Sequence, residues 1–235
     1  ALFERYRTII GPFHETPCRI LERAGGGQVP VEGTVVCWVL PVQEGVRRSN
    51  CVQSRHPSRM WARTRDLGER FNDQLRVRVV ETLTALGGLA VAPVLSDMWT
   101  RVDDAPVGLA STWSERHAAF AAGLGTFSIN GGLITRLGIA HRVGSVVTDI
   151  VLEPTPRPYR DYREYCLTCR GIPCGVCMTR CPAGVISQEG HDKDRCRSYT
   201  YSQTFRSLAR EYGVSVTGCG LCQTAVPCED RIPEG

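Results

Sequence analysis

Nine of the chain's twelve cysteines fall between Cys166 and Cys228, and five of those nine crowd into one run, CLTCRGIPCGVCMTRCP, from Cys166 to Pro182. Thiols at this density share a partner, either one another as disulfides or a metal. Disulfide scaffolds are typically short secreted domains without a sufficient core, whereas 235 residues with 42% hydrophobic side chains can bury a large one. The opening ALFERYRTII has no secretory pattern. Reduced thiols and a cytoplasmic location are therefore expected. No apolar run reaches the roughly 20 residues needed to cross a bilayer, so no membrane partner is expected. Metal binding is the reading that the cysteines impose.

Their spacing narrows the metal. Cys174, Cys177 and Cys181, followed by Pro182, form C-x2-C-x3-C-P, the closing part of the bacterial ferredoxin run C-x2-C-x2-C-x3-C-P. The opening cysteine of such a run would stand at Gly171, and the nearest upstream thiols are Cys169 and Cys166. Cys196, the pair Cys219 and Cys222, and Cys228 follow. With Cys169 these make eight ligands, enough for two 4Fe-4S clusters. In two-cluster ferredoxins the cysteine before the proline ligates the other cluster. Cys181 is thus expected with Cys196, Cys219 and Cys222, while Cys169, Cys174, Cys177 and Cys228 hold the first cluster. Cys166 is left as an alternative to Cys169 or as a buried structural thiol. Paired C-x2-C motifs also build zinc sites, although zinc requires neither the C-P ending nor the isolated Cys196.

Ahead of this region lies a boundary, the proline-rich LEPTPRPYRDY (Leu152 to Tyr162), which breaks helices and central strands. It divides the chain into 1–160 and a cysteine domain, 161–235. The first part reads as α/β. TVVCWVLPV (34–42) suits a buried strand. Leu67, Phe71, Leu75, Val79, Leu83 and Leu86 recur at helical spacing, with Asp66 and Glu69 resembling a capping box and Gly87 and Gly88 as the stop. LAVAPVL reads as a second strand, Ser114 to Ala122 as a helix ended by Gly123, and GSVVTDIVL (144–152) as a further strand.

The stretch SERHAAFAAGLGTFSINGGLIT (114–135) resembles the epoxyqueuosine reductase family and, through it, the catalytic core of reductive dehalogenases. In these an E-R-x-x-A-x-x-A-G-L-G segment precedes a double-cluster ferredoxin domain. Glu115, Arg116, Ala119, Ala122, Gly123, Leu124 and Gly125 match it without a gap. The resemblance implies an α/β (α+β) cobalamin-binding, nitroreductase-like core followed by a ferredoxin-like domain with two 4Fe-4S clusters. It further implies base-off cobalamin, a low-potential electron donor, and reductive deoxygenation or dehalogenation of a small or nucleoside-like substrate. The implied cofactor-binding residues are Gly123, Leu124, Gly125, Thr126, Phe127, Ser128, Asn130, Gly131 and Thr135, with Arg142, Gly144 and Ser145 from the later RVGSVVTDI. Family members carry glycine-lysine-asparagine where this chain has Ser128, Ile129 and Asn130. The family's V-D-x-x-P-V segment places its proton-donating aspartate on Asp103, with Asp104 beside it. A second functional class is a two-cluster electron carrier that reduces a partner's corrinoid.

RRSNCVQSRHPSRMWARTR (47–65) holds six arginines and no acidic residue. It reads first as a solvated loop and second as a seat for the phosphate of a cofactor's nucleotide tail. Nucleic acid ranks last as a partner, with Trp61 as its stacking surface.

Overall fold

The structure, a computed structural model, describes residues 2–28 and 32–235. Two eight-residue helices, α1 (Leu2–Ile9) and α2 (Pro17–Ala24), open the chain. The second begins where Thr16 accepts from the Arg19 N–H and Pro17 fills the first turn. The β-branched run forms β1 (Thr34–Pro41) and is followed by α3 (Glu44–Cys51) and the 27-residue α4 (Arg59–Ala85). Next come β2 (Ala90–Val91), the paired β3 (Arg101–Val102) and β4 (Ala110–Ser111), and α5 (Glu115–Ala121). Then follow β5 (Gly125–Phe127), β6 (Leu133–Thr135) and β7 (His141–Thr148). The cysteine-rich part carries α6 (Val176–Thr179), β8 (Ile186–Ser187), β9 (Gly190–His191), α7 (Lys193–Thr200) and α8 (Gln203–Tyr212). One three-stranded sheet has the order β1-β7-β2, with Ala90 opposite Thr148.

Two expectations change. The long helix starts at Arg59 rather than near Asp66, because Ser58 Oγ accepts from the Trp61 N–H at 3.0 Å and caps it earlier. Its apolar stripe is also displaced: Leu67, Phe71 and Leu86 are exposed, while Asn72 and Arg76 are fully buried. Arg76 donates to both carboxylate oxygens of Glu115 (2.9 and 2.6 Å). Asn72 accepts from Trp38 Nε1 (2.8 Å) and donates to the Val143 carbonyl (2.9 Å). These polar bonds decide which helix face turns inward. LAVAPVL, for its part, is strand only at Ala90–Val91, since Pro93 begins a 3₁₀ turn over Pro93–Leu95.

The chain forms two compact units, each discontinuous in sequence. One comprises Ala1–Trp38, Asn72–Leu124 and Val143–Pro158; the other comprises Val39–Phe71, Gly125–Arg142 and Tyr159–Gly235. The first unit packs Ile20, Leu21, Trp113, Ala118 and Val147 into one core, and Leu83, Ala92 and Val146 into another. The second has a core of Ile129, Ile134, Ile139, Ile186 and Val226 that includes the thiols of Cys166 and Cys177. No described helix is long and apolar enough to cross a membrane.

Candidate metal centre

Within the second unit, β5 and β6 pair with Gly125 opposite Thr135 and Phe127 opposite Leu133. This hairpin and the residues after it grip the cysteine segments. The Phe127 N–H donates to the Tyr162 carbonyl (2.7 Å), and Thr126 Oγ1 accepts from the Tyr165 N–H (2.8 Å). Asn130 Nδ2 donates to the Cys222 carbonyl at 2.8 Å. The Ile139 and Ala140 N–H groups donate to the carbonyls of Cys228 (2.8 Å) and Glu229 (3.1 Å). Arg47 adds ion pairs to Glu229 (2.9 Å) and Asp230 (3.2 Å). Segments with little regular structure are fixed in this way by backbone bonds.

The thiols are carried on short turns. Gly175, at φ +72°, opens α6, which bears Cys177, and its N–H donates to Thr168 Oγ1 (3.1 Å). Asp192 caps α7, which bears Cys196, by accepting from the Arg195 N–H. Between Cys219 and Cys222, Gly220 has φ +68°, and a Cβ there would lie 2.0 Å from the Trp61 ring. Only glycine satisfies both conditions. Arg180 donates to the carbonyls of Gln53 (2.9 Å) and Thr224 (3.1 Å), tying the end of α6 to the loops around it.

All twelve cysteines are free thiols. Burial, then Cys166 and Cys174, push the Cys177 thiol up to about 12. Burial, then Cys177, Cys166 and Cys174, raise Cys228 to about 12. Burial with Cys196 and Cys181 nearby raises Cys219 to about 11. Cys196 is raised by burial, then by Cys181 and Asp192. Cys222 stands well above the usual range through burial, then Cys219, Cys196, Cys177 and Cys181. The neighbours thus sort into Cys166, Cys174, Cys177 and Cys228 on one side and Cys181, Cys196, Cys219 and Cys222 on the other, with Cys177 and Cys222 adjoining. Cys169 is raised to about 11 by burial and by Cys166. Buried sulfurs crowded in this way resist ionisation, and a cationic group among them removes that cost. Among the described residues no three His, Cys, Asp or Glu side chains gather closely enough for a single metal ion. A cubane makes no such demand, because each cysteine binds its own iron and the sulfurs stand apart around the cluster.

The other residues singled out in the sequence have different surroundings. Thr126, Ser128, Asn130, Thr135 and Ser145 are buried. Besides the bonds above, Thr135 Oγ1 donates to the Gly138 carbonyl (3.0 Å), Ser145 Oγ accepts from Trp113 Nε1 (3.0 Å), and Ser128 Oγ lies 3.8 Å from Cys166 Sγ. Space beside three of the glycines is filled by protein. A Cβ on Gly123 would meet the Pro156 carbonyl oxygen at 2.7 Å, on Gly125 the Ile134 carbonyl oxygen at 2.1 Å, and on Gly144 the Trp38 ring at 2.3 Å. A Cβ on Gly131 would stand 3.5 Å from His191 Nδ1. The Leu124 N–H donates to the Ala119 carbonyl, and Arg142 pairs with Glu69 at 3.4 Å. In the first unit, Asp103 lies exposed after β3 and pairs with Arg101 at 3.0 Å. Trp61 is buried, so it offers no stacking surface, and Arg47 is spent on Glu229 and Asp230. Sequence reasoning missed the bracing roles of Asn130 and Arg180, which leave no spacing signal.

No protein-family model and no curated protein matches the chain. Solved structures similar to it include an epoxyqueuosine reductase from Streptococcus thermophilus, at 20% identity and TM-score 0.41, covering 70% of this chain and 40% of that one. An epoxyqueuosine reductase from Bacillus subtilis, its catalytic loop swung out of the active site, has 18% identity and TM-score 0.44, covering 85% and 51%. An epoxyqueuosine reductase bound to a tRNA-Tyr stem loop has 22% identity and TM-score 0.43, covering 70% and 40%. The chain spans about half or less of the length of these structures.

Proposed function

We propose that the protein is an iron–sulfur oxidoreductase that takes single electrons from a low-potential donor and delivers them through two 4Fe-4S clusters to a reducible acceptor. The observation that supports this reading is that eight free thiols sort by their nearest neighbours into two adjoining groups of four. When bound, such clusters supply one-electron chemistry. The protein's own contribution is to ligate them through Cys174, Cys177 and Cys228 in one group and Cys181, Cys196, Cys219 and Cys222 in the other. Its hairpin 125–135 braces those segments, and Cys177, 7% exposed, sits in the core beside them.

The acceptor proposed from the resemblance is a small or nucleoside-like molecule undergoing reductive deoxygenation or dehalogenation. For a halide the balance is R–X plus two electrons and one proton giving R–H and X⁻. Asp103 is the proposed proton donor, with its carboxyl exposed beside Arg101. An Asp103→Asn variant is expected to keep its iron and lose turnover; undiminished turnover removes Asp103 from the reaction. Several of the residues read as holding base-off cobalamin are engaged within the protein. Thr126, Ser128, Asn130 and Ser145 are buried and turned to protein partners, and the space beside Gly123, Gly125 and Gly144 is taken. That observation favours a second reading, in which the acceptor is a partner's corrinoid.

One experiment separates these readings. The protein is reconstituted anaerobically with iron and sulfide, mixed with cobalamin, freed of excess, and examined by metal analysis, absorption and electron paramagnetic resonance. The expected result is about eight irons per chain. Retained cobalt with a base-off signal assigns the corrinoid to this chain; iron without cobalt assigns an electron carrier. Zinc without sulfide overturns both.

A further inference from the structure

Arg180 stands immediately before Cys181 and is half-buried. Its guanidinium bonds two other stretches of the chain. Nε donates to the carbonyls of Leu221 (3.3 Å) and Thr224 (3.1 Å), Nη1 to the Gln53 carbonyl (2.9 Å), and Nη2 to the Asn50 carbonyl (3.3 Å) and Thr224 Oγ1 (3.5 Å). Leu221 lies between Cys219 and Cys222, so one side chain ties the turn that ends in Cys181 to the loop that carries two further cysteines. All five acceptors are neutral oxygens, and among the described residues no carboxylate pairs with Arg180. Arg47 and Arg76 also turn inward, and both meet carboxylates, Glu229 at 2.9 Å and Glu115 at 2.6 Å. A guanidinium does not deprotonate in a protein, and a charge drawn out of water is ordinarily paired. The carbonyls satisfy the donors of Arg180 and leave its charge unanswered.

We propose that Arg180 is the counter-charge for the cluster held by Cys181, Cys196, Cys219 and Cys222, and that it raises that cluster's reduction potential. The inference rests on the two-cluster reading above. A cubane with four thiolates is an anion, and reduction adds one electron from the low-potential donor and with it one further negative charge; no bond forms or breaks and no proton moves. Net charge is among the determinants of a cluster's potential, and a fixed cation favours the more negative state. Arg180 acts as a positioning residue, because its five bonds keep the charge in place as the electron arrives. The effect falls on the group whose cysteines flank its anchor points, Cys181 on its own turn and Cys219 and Cys222 on either side of Leu221.

The test compares wild type, Arg180→Gln and Arg180→Lys, each reconstituted anaerobically with iron and sulfide, by iron count and by redox titration followed with electron paramagnetic resonance. Glutamine keeps amide donors without the charge; lysine keeps the charge with fewer bonds. Arg180→Gln is expected to make one cluster harder to reduce by on the order of tenfold, a midpoint lower by about 59 mV for one electron, and to leave the other midpoint in place. Arg180→Lys is expected to restore that midpoint even where the looser segments release iron faster. A merely structural role changes iron retention in both variants and leaves the potential of the remaining clusters alone. Wild-type midpoints in Arg180→Gln, both midpoints displaced alike, or a lysine variant displaced as far as the glutamine one overturns the inference. Where neither Arg180 variant can be loaded, Gln53→Glu decides, since it keeps all five bonds of Arg180 and brings a carboxylate to the segment that the guanidinium touches. One lowered midpoint then supports the inference, and unchanged midpoints overturn it. Wild type that takes up no iron and sulfide fails the two-cluster reading itself, an outcome distinct from any variant pattern.

Discussion

Arg76 shows how a single side chain can set the face of a helix. It is fully buried, and its guanidinium is shared between Glu115, Asp73 at 2.5 Å and the Val143 carbonyl at 3.2 Å. Arg76→Met removes the guanidinium from the Glu115 carboxylate, which also accepts from the Ser145 N–H (2.9 Å) and hydroxyl. The expected loss is about 3–5 kcal/mol, read from urea denaturation. A second residue makes stability depend on pH. His14 is fully buried against Tyr6, Trp113 and His117; burial, opposed by the Glu15 backbone and aided by Arg7, lowers it to about 4. The unfolded chain therefore binds the extra proton first. Stability is full above about pH 6.5 and falls as the pH drops toward 4, by roughly 1–3 kcal/mol in all. His14→Phe flattens that part of the profile in thermal melts taken between pH 7 and 5. Neither residue was legible in the sequence. Hydrophobic periodicity counts apolar side chains and cannot register that an arginine's partner lies 39 residues away.

At the scale of elements, the hairpin of β5 and β6 explains why part of the site was readable and part was not. The cysteine spacing is local, since a cluster loop must present its sulfurs within a few residues, and so it survives in the sequence. The bonds from Phe127, Ile139 and Ala140 to the cysteine segments are made by backbone atoms, which any side chain could accompany. The family resemblance read the small and polar residues around these glycines as a ligand cradle. Here Thr126 and Asn130 spend that same chemistry on the chain's own loops. Asn130→Ala deprives the Cys222 carbonyl of its donor, a loss of about 1–3 kcal/mol. In reconstituted protein the expected consequence is faster release of iron from the group containing Cys222, followed with a ferrous chelator, while the other group is retained. Equal release from both groups counts against this bracing role.

For the whole molecule, strand β1, the 144–148 part of β7 and helix α5 were legible because apolar, β-branched runs and a glycine stop mark them, while the expected strand residues 149–152 lie beyond the end of β7. The division into two discontinuous units was not, because contacts between distant segments leave no trace in composition. Much of 149–175 and 213–235 is without helix or strand, and on the proposed two-cluster reading bound metal adds to the hydrogen bonds that hold the cysteine-bearing parts. Iron removal is expected to open them to protease while the sheet β1-β7-β2 stays resistant, and limited proteolysis with and without chelator checks this. The order of the thiols along the chain also bears on synthesis. In the proposed two-cluster arrangement three members of the group with Cys166 are translated by Cys177, yet its fourth, Cys228, follows Cys222, with which the other group is complete. As the chain is released, the later-starting set of the proposed pair would therefore be complete before the earlier-starting one, the reverse of the order in which they begin.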